Sequence, residues 1–479
     1  MKKPNLLFLY TDEQAINTLA AYGNEQIEMP NLNELSNDCT VFEHMYVTQP
    51  VCTPSRSTLL TGLYPHTNGC TRNNIPLKQE TKCFPELLND SDYRTGHFGK
   101  WHLGDEIFKQ HGFDEWISIE DTYSCHYSEG RNKNEKSSYH NFLLKNGFKP
   151  SRGEHFRRSE TTILPEEFSK PAFLAKESKR FIEDNKDKAF ALFVNFFEPH
   201  MPFHGPRDNQ YDPKDIPLPS NFEHKLDEMN PFKTRFFAHK YNEFGISGID
   251  LDSAEGWKKL RANYWGMCSH IDRYIGEIIS KLKECALYDD TIIVFTSDHG
   301  DMMGSHGLVA KCVMFEEAVR VPCLIKLNGQ NKIKKAKGPA SQVDIVPTLL
   351  ELMNKTVPEN LDGKSLKKLA QDGGEVSEDN NVFIEWSGTE GTFKNYDIPE
   401  CFKDKVPDFE TLEKYLGAEI TTIIDPSGWK YNWSSIGEDE LYNLNEDSDE
   451  INNLAFDVSQ EKRILSLRQK IKTWQKKQN

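Results

Sequence analysis

The chain has 479 residues, enough to bury a large core in more than one domain or in one domain with subdomains. Acidic residues outnumber basic ones, 74 to 58. The net charge of −16 argues against nucleic acid as the natural partner, although a local basic pocket could still take an anionic substrate. No apolar run reaches membrane-spanning length, so a membrane partner is not expected.

The opening Met1-Lys2-Lys3-Pro4 has the charge of a secretory leader. The apolar run behind it, Leu6 to Tyr10, is too short for one. Ten cysteines without a regular framework read as reduced, mostly buried thiols. Together these point to the cytoplasm, with a periplasmic protein whose leader is trimmed as the alternative.

Asn5 to Thr11 is a continuous apolar strand of the kind buried on both faces of a parallel sheet, and it ends at Asp12-Glu13. A helix opening at Pro30 leads to a strand over Thr40 to Tyr46. Thr53-Pro54 then reads as a helix start, with the helix running from Ser55 to about Leu63. Tyr93 to Phe98 is a strand entering Gly99-Lys100-Trp101-His102-Leu103-Gly104. From Asp121 to Phe168 the regular pattern fades into polar sequence. Lys170 to Asn185 is helical, and the apolar strand Ala189 to Phe197 ends at Glu198-Pro199-His200.

Residues 201–250 read as a second irregular insertion. Ser253 to Cys285 is a long amphipathic helix, with Ile271, Ile275, Ile278 and Leu282 on one face. Thr291 to Ser297 is a strand ending at Asp298-His299-Gly300. Arg320 to Leu327 is a strand and Val343 to Met353 a helix. Residues 358–374 look like a linker. Beyond it, short strands at Val382 to Trp386, Thr421 to Ile424, Trp429 to Trp433 and Asp439 to Leu444, and a last helix over Gln460 to Gln475, predict a small antiparallel subdomain. The expected division is 1–357 and 375–479.

The chemistry centres on Cys52-Thr53-Pro54-Ser55-Arg56. A cysteine just before a helix start sits where the helix dipole favours negative charge and lowers a thiol pKa. Arg56 cannot lose its charge and marks a place for an anion. An inert cysteine at a helix cap is the plain alternative. A cysteine phosphatase loop needs an arginine six places after the cysteine, where this chain has Thr58. Four strand ends also carry reactive groups: Asp12-Glu13, Lys100/His102, His200 and Asp298-His299. Ligands gather at the carboxyl ends of strands in open α/β sheets.

Cys52-Thr53-Pro54-Ser55-Arg56, with Thr61-Gly62 beyond it, resembles the Cys-x-Pro-x-Arg signature of the formylglycine-dependent sulfatases. The resemblance extends to the opening Pro4-to-Asp12 strand, to Gly99-Lys100-Trp101-His102 and to Pro199-His200. It continues through Phe295-to-Gly300, His306-Gly307-Leu308 before Lys311, and Glu440-to-Leu444. It implies an alkaline-phosphatase-like α/β fold with a mostly parallel sheet. It also implies that Cys52 is oxidised to formylglycine by a separate maturation enzyme, and that a divalent cation is held by Asp12, Glu13, Asp298, His299 and residue 52. A carboxylate-rich site selects a hard cation, usually calcium in this family, with manganese or magnesium as alternatives. Glu13 departs from the aspartate common there, and His299 from a common asparagine.

By the same resemblance, Arg56, Lys100 and Lys311 neutralise the sulfuryl oxygens, and His200 and His102 act as acid and base in an order left open. A hydrated formylglycine attacks sulfur with one hydroxyl and uses the other to expel sulfate. The expected activity is hydrolysis of a sulfated carbohydrate. A phosphonate or phosphate ester hydrolase, a small aryl or choline sulfatase, and a silent binder of sulfated ligands are the rivals. The basic, tyrosine-bearing stretch 121–168 is the expected sugar-reading element, through His126, Arg157 and Arg158. Arg72 and Asn74 are expected at the pocket floor, and Trp386 and Glu390 are expected to reach it from the second subdomain.

Overall fold

Eight consecutive residues, Asn5–Asp12, form a strand buried on both faces (β1). Its side chains alternate between two cores, as the pleat requires. Leu7 and Leu9 join one cluster; Leu6, Phe8 and Tyr10 join the other. The structure, a computed structural model, describes residues 3–388 and 398–478.

Nine further strands follow in chain order: β2 (Thr40–Tyr46), β3 (Tyr93–Gly99), β4 (Glu115–Ser118), β5 (Ala189–Pro199), β6 (Thr291–Ser297), β7 (Arg320–Val321), β8 (Cys323–Lys326), β9 (Lys334–Ser341) and β10 (Gly374–Glu375). They make a 10-stranded sheet in the order β10-β9-β2-β8-β6-β1-β5-β3-β4, with β7 pairing β2 to the side. β1 runs parallel to both β5 and β6, and β3 runs parallel to β5. The carboxyl ends of β6, β1, β5 and β3 therefore share one edge. Only β7 and β8 run against their neighbours.

One face is covered by the helices Lys170–Asp184 and Ala254–Glu284, which bring Phe173, Leu174 and Phe181, and Leu260, Ile271, Ile275, Ile278 and Leu282. The other is covered by Cys52–Thr61 and Ile345–Leu352, with Leu59, Leu60, Val346, Leu349 and Leu350. A four-stranded antiparallel sheet follows, β11 (Val382–Trp386), β12 (Ile420–Ile424), β13 (Trp429–Ser434) and β14 (Glu440–Asn443), in that order. The helix Glu461–Gln478 lays Leu467 and Ile471 on Ile423, Tyr431 and Leu441. The small sheet is not a separate body. Val382, Ile384 and Trp386 belong to the second core of the large sheet, and Glu385 N donates to Thr48 O at 2.8 Å.

Several expectations are corrected. The stretch 358–374 is more than a linker: it contains the helix Lys367–Asp372 and ends in β10, which extends the large sheet. The irregular stretch 121–168 contains the helix Ser138–Lys145, and 201–250 contains Phe232–Phe244. The strand expected over Arg320 to Leu327 is split into β7 and β8, which make different pairings with β2. The strand β9, Lys-Lys-Ala-Lys-Gly-Pro-Ala-Ser, carries no β-branched or aromatic signal; its pairing with β2 makes it a strand.

Candidate active site

The signature helix begins at Cys52 itself and not at Ser55; Val51 precedes it in extended conformation. Thr53 does not cap with its hydroxyl. Its Oγ1 donates to His102 O at 2.7 Å, and its backbone N–H donates to Asn73 Oδ1 at 3.0 Å. Every residue of this helix is buried. That burial reverses the expected thiol chemistry. Desolvation, with Asp12 adding to it, pushes the Cys52 thiol up to about 12, so the helix dipole does not win. An unmodified Cys52 is thus a protonated, weak nucleophile at neutral pH.

Cys52 Sγ lies 3.3 Å from His299 Nε2 and 3.6 Å from Asp12 Oδ1. His299 Nε2 lies 3.7 Å from Asp298 Oδ1 and 3.8 Å from Asp12 Oδ1. Donor atoms of Asp12, Cys52, Asp298 and His299 lie within 4.8 Å of one another, all buried. His299 Nδ1 is 3.0 Å from Gly300 O, a contact that places the proton on Nδ1 and leaves the Nε2 lone pair facing the carboxylates. Two carboxylates, one imidazole and residue 52 around one point suit a divalent cation. Oxygen-rich donors favour a hard ion, and the imidazole also admits manganese or zinc.

Glu13 stands outside this group. It has φ 71°, and Tyr264 pins it by donating to its carbonyl at 2.7 Å while accepting from Ala15 N at 2.7 Å. Its Oε2 meets Lys311 Nζ at 2.7 Å and lies 3.5 Å from His200 Nε2, and its carboxyl also hydrogen-bonds the Asp301 side chain. With Asp12 and His200 it forms a second gathering of donor atoms. Burial pushes its carboxyl up while Lys311 holds against the shift.

Arg56 also differs from expectation. Nε donates to Asp298 Oδ2 at 2.8 Å, Nη2 to Asp12 Oδ2 at 2.9 Å and Nη1 to Lys100 O at 2.9 Å. The guanidinium is fully buried and spends three of its five N–H donors on protein. It orients two carboxylates and is not free to bind sulfuryl oxygens. The other cations at the site are Lys100, paired directly with Asp12, and Lys311, paired with Glu13. Burial opposes the charge on both, and the facing carboxylates outweigh it, so both stay ammonium.

His102 has φ 60°, and Nε2 lies 3.0 Å from Asn74 Oδ1. That contact puts the proton on Nε2 and leaves buried Nδ1 as an unpartnered acceptor. Burial, then Lys100, drives its pKa well down, so the ring is neutral. His200 is likewise held neutral by burial and then Lys311, with Nδ1 2.8 Å from Met201 O and Nε2 toward Glu13.

Of the residues expected to bind substrate, Asn74 supports His102. Arg158 lies close by: Nη2 donates to Tyr123 OH at 2.7 Å, and the Tyr123 ring is 4.3 Å from that of His102. Glu120 anchors Arg158 at 2.8 Å. Arg157 points to solvent and serves as a backbone cap with Glu160, and Arg72 is also exposed. His126 is half-buried in a turn at Ser124–His126. Trp386 is buried, with Lys233 Nζ 3.3 Å from its ring centroid. Glu390 lies outside the described residues.

Several contributors escaped sequence reasoning. Glu106 accepts from the backbone of Trp101 at 2.8 Å and of His102 at 2.6 Å, setting the Lys100–His102 segment. Asp301 accepts from Met303 N at 2.9 Å and Ala310 N at 3.0 Å, shaping the turn before Lys311. The acid four places after His102 was a possible signal for Glu106. Nothing marked Tyr264, on a helix far along the chain.

Residues 4–355 match the family described as Sulfatase. The chain is 26% identical over 503 residues to a multifunctional alkaline phosphatase superfamily protein of Trinickia caryophylli, covering 99% of this chain and 95% of that one. It is 25% identical over 521 residues to an N-acetylglucosamine-6-O-sulfatase of Bacteroides thetaiotaomicron, covering 99% and 87%. The structure is similar to that of a phosphonate monoester hydrolase from Silicibacter pomeroyi, with a TM-score of 0.80, 21% identity and coverage of 100% and 96%. The fold is alkaline-phosphatase-like, a buried carboxylate–imidazole cluster faces Cys52, and the chain belongs to the sulfatase family of hydrolases.

Proposed function

We propose that this hydrolase removes sulfate from a sulfated carbohydrate, with residue 52 as nucleophile after conversion to formylglycine by a maturation enzyme. The observation that carries the reading is the placement of Cys52 Sγ, 3.3 Å from His299 Nε2 and 3.6 Å from Asp12 Oδ1, in a site where a free thiol is held protonated. A site that suppresses the thiolate makes little sense for thiol chemistry. Formylglycine would supply a hydrated aldehyde, with one hydroxyl to attack and one to expel sulfate. Asp12, Asp298 and His299 would hold a divalent cation, calcium being the first candidate, which supplies Lewis-acid charge for the sulfuryl oxygens.

The chain's own residues do the rest. Arg56 fixes the two carboxylates in one arrangement. Lys100 and Lys311 keep positive charge beside the place where the ester's oxygens gain negative charge. His102, neutral with Nδ1 open, is built to accept a proton. His200, whose Nε2 lies 3.5 Å from Glu13 Oε2, is the candidate acid for the leaving alcohol once Nε2 has taken up a proton, which leaves the ring neutral again after transfer. Tyr123, packed against His102 and held by Arg158, offers a ring edge to a sugar.

A phosphonate or phosphate ester hydrolase is the second reading, favoured by the likeness to a phosphonate monoester hydrolase. Paired assays on sulfated oligosaccharides, small aryl sulfates and phosphonate monoesters decide between them by kcat/KM. We expect peptide mass analysis to find the aldehyde at residue 52 in protein made with the maturation enzyme. We expect Cys52→Ala to lose on the order of a thousandfold or more in kcat. Wild-type turnover in that variant sinks the proposal; a preference for phosphonates or small esters sinks the substrate class alone.

A further inference from the structure

Away from the catalytic centre, Cys83, Glu86 and His111 bring a sulfur, a carboxylate oxygen and an imidazole nitrogen within 4.8 Å of one another. Cys83 precedes the helical turn Phe84–Leu88, and Glu86 caps it by accepting from Cys83 N at 3.0 Å. His111 comes from the loop between β3 and β4, with φ 48° and a fully buried side chain.

Two features of this cluster are unexplained by packing. Neither ring nitrogen of His111 makes a hydrogen bond of good geometry; the ring only approaches Glu86 and the Thr81 backbone, although buried polar groups nearly always find a well-formed partner. Glu86 Oε2 stands 3.6 Å from His111 Nδ1, too long for a hydrogen bond. That spacing does match the edge of a tetrahedral zinc site, whose ligand atoms stand about 3.3–3.8 Å apart at the usual bond lengths. Glu86 is 31% exposed, so solvent can supply a fourth ligand and the ion an entry path.

We propose that Cys83, Glu86 and His111 form a second metal site for a borderline-soft transition ion of the zinc class, distinct from the catalytic cation. A sulfur, nitrogen and single carboxylate set suits zinc better than calcium. Glu86 can keep its bond to Cys83 N, since a carboxylate has lone pairs for both. A cysteine thiol ordinarily keeps its proton at neutral pH. Binding releases that proton to solvent as the S–metal bond forms. The site lies behind the catalytic segment: the His111 ring is 5.6 Å from that of Trp101, between Lys100 and His102. The bound ion clamps this loop to the Phe84–Leu88 turn.

The test is cobalt titration of chelator-treated Cys52→Ala protein, which has no thiolate left at the catalytic centre. A thiolate-to-cobalt charge-transfer band saturating at one equivalent is expected, displaced by zinc. Adding Cys83→Ala should abolish the band, and His111→Ala should weaken binding at least tenfold. Zinc should raise the Tm of the Cys52→Ala protein by more than that of the double variant, in which only the catalytic cluster is left to bind it. Absence of the band in folded Cys52→Ala protein, or a band that survives Cys83→Ala, overturns the proposal. The titration needs no change at the site itself, so misfolding of a variant cannot mask the result.

Discussion

Arg56 shows how one side chain governs a site without meeting substrate. Its guanidinium bridges Asp12 and Asp298 and takes the carbonyl of Lys100. Lysine keeps the charge and loses the fork, so it cannot hold both carboxylates in register. Arg56→Lys should therefore lower metal affinity and kcat on the order of tenfold to a hundredfold, the range for residues that orient metal ligands. Metal content by mass spectrometry, measured beside kcat, checks this. Retained metal with lost turnover would instead return Arg56 to substrate binding. The residue scale also separates Glu13 from the cation cluster. Lys311 and His200 face it, so its effect on catalysis runs through those two groups.

At the scale of elements, strand ends do the positioning. β3 closes at Gly99, with φ 124°, and a Cβ there would lie 1.9 Å from Asn195 O. That same oxygen accepts from Lys100 N at 3.2 Å, so the close approach of backbones aims Lys100. Gly99→Ala should cost about 1–3 kcal/mol of stability, as overpacking does. It should also lower kcat/KM about tenfold or more through the displaced ammonium; thermal melts and steady-state kinetics measure the two. The loop that carries Arg158 is anchored by Glu120, which also pairs with Lys170. Burial works against that carboxylate's charge, and Arg158 and Lys170 outweigh it, taking it from 4.5 to about 2. The folded pKa lies below the unfolded one, so the contribution is full above about 4.5 and is lost as pH falls toward about 2. The Tm difference between wild type and Glu120→Gln should shrink over that window; a gap that stays constant would show the pair adds no pH-linked stability.

For the whole molecule, the small antiparallel sheet is bound to the large one by a buried charge cluster. Lys430 on β13 meets Glu316 at 3.0 Å and Glu450 at 2.8 Å, and Tyr46 OH on β2 donates to Glu316 at 2.9 Å. Removing one partner from a buried cluster leaves charges unpaired, which costs about 3–5 kcal/mol. Lys430→Ala should lose that much by denaturant unfolding, as one cooperative transition, because the two sheets share a core. A separate early transition of residues 398–478 would mean the sheets fold independently.

How much of this was legible in the chain follows from where each signal lives. Apolar continuity marked β1, β5 and β6, because a strand buried on both faces needs no polar alternation, and their terminal Asp12, His200 and Asp298 came with them. Local pattern also placed the Ala254–Glu284 helix and the closing strands. It gave no sign of β9 and misread the helices within 121–168 and 201–250, where neighbours decide the conformation against weak propensity. The residue types at the site were thus set by sequence alone. Only the tertiary structure decided their states, because these depend on burial and on partners distant in the chain. Desolvation turned the expected reactive thiol of Cys52 into a protonated one. Two carboxylates from different strands turned Arg56 from an anion receptor into a brace. Lys311 pairs with Glu13, which joins Asp12 and His200 in a second gathering of donor atoms. Arg157 and Arg158, adjacent in sequence, parted to solvent and to Tyr123, since only one of two neighbouring side chains could face the loop's buried Glu120.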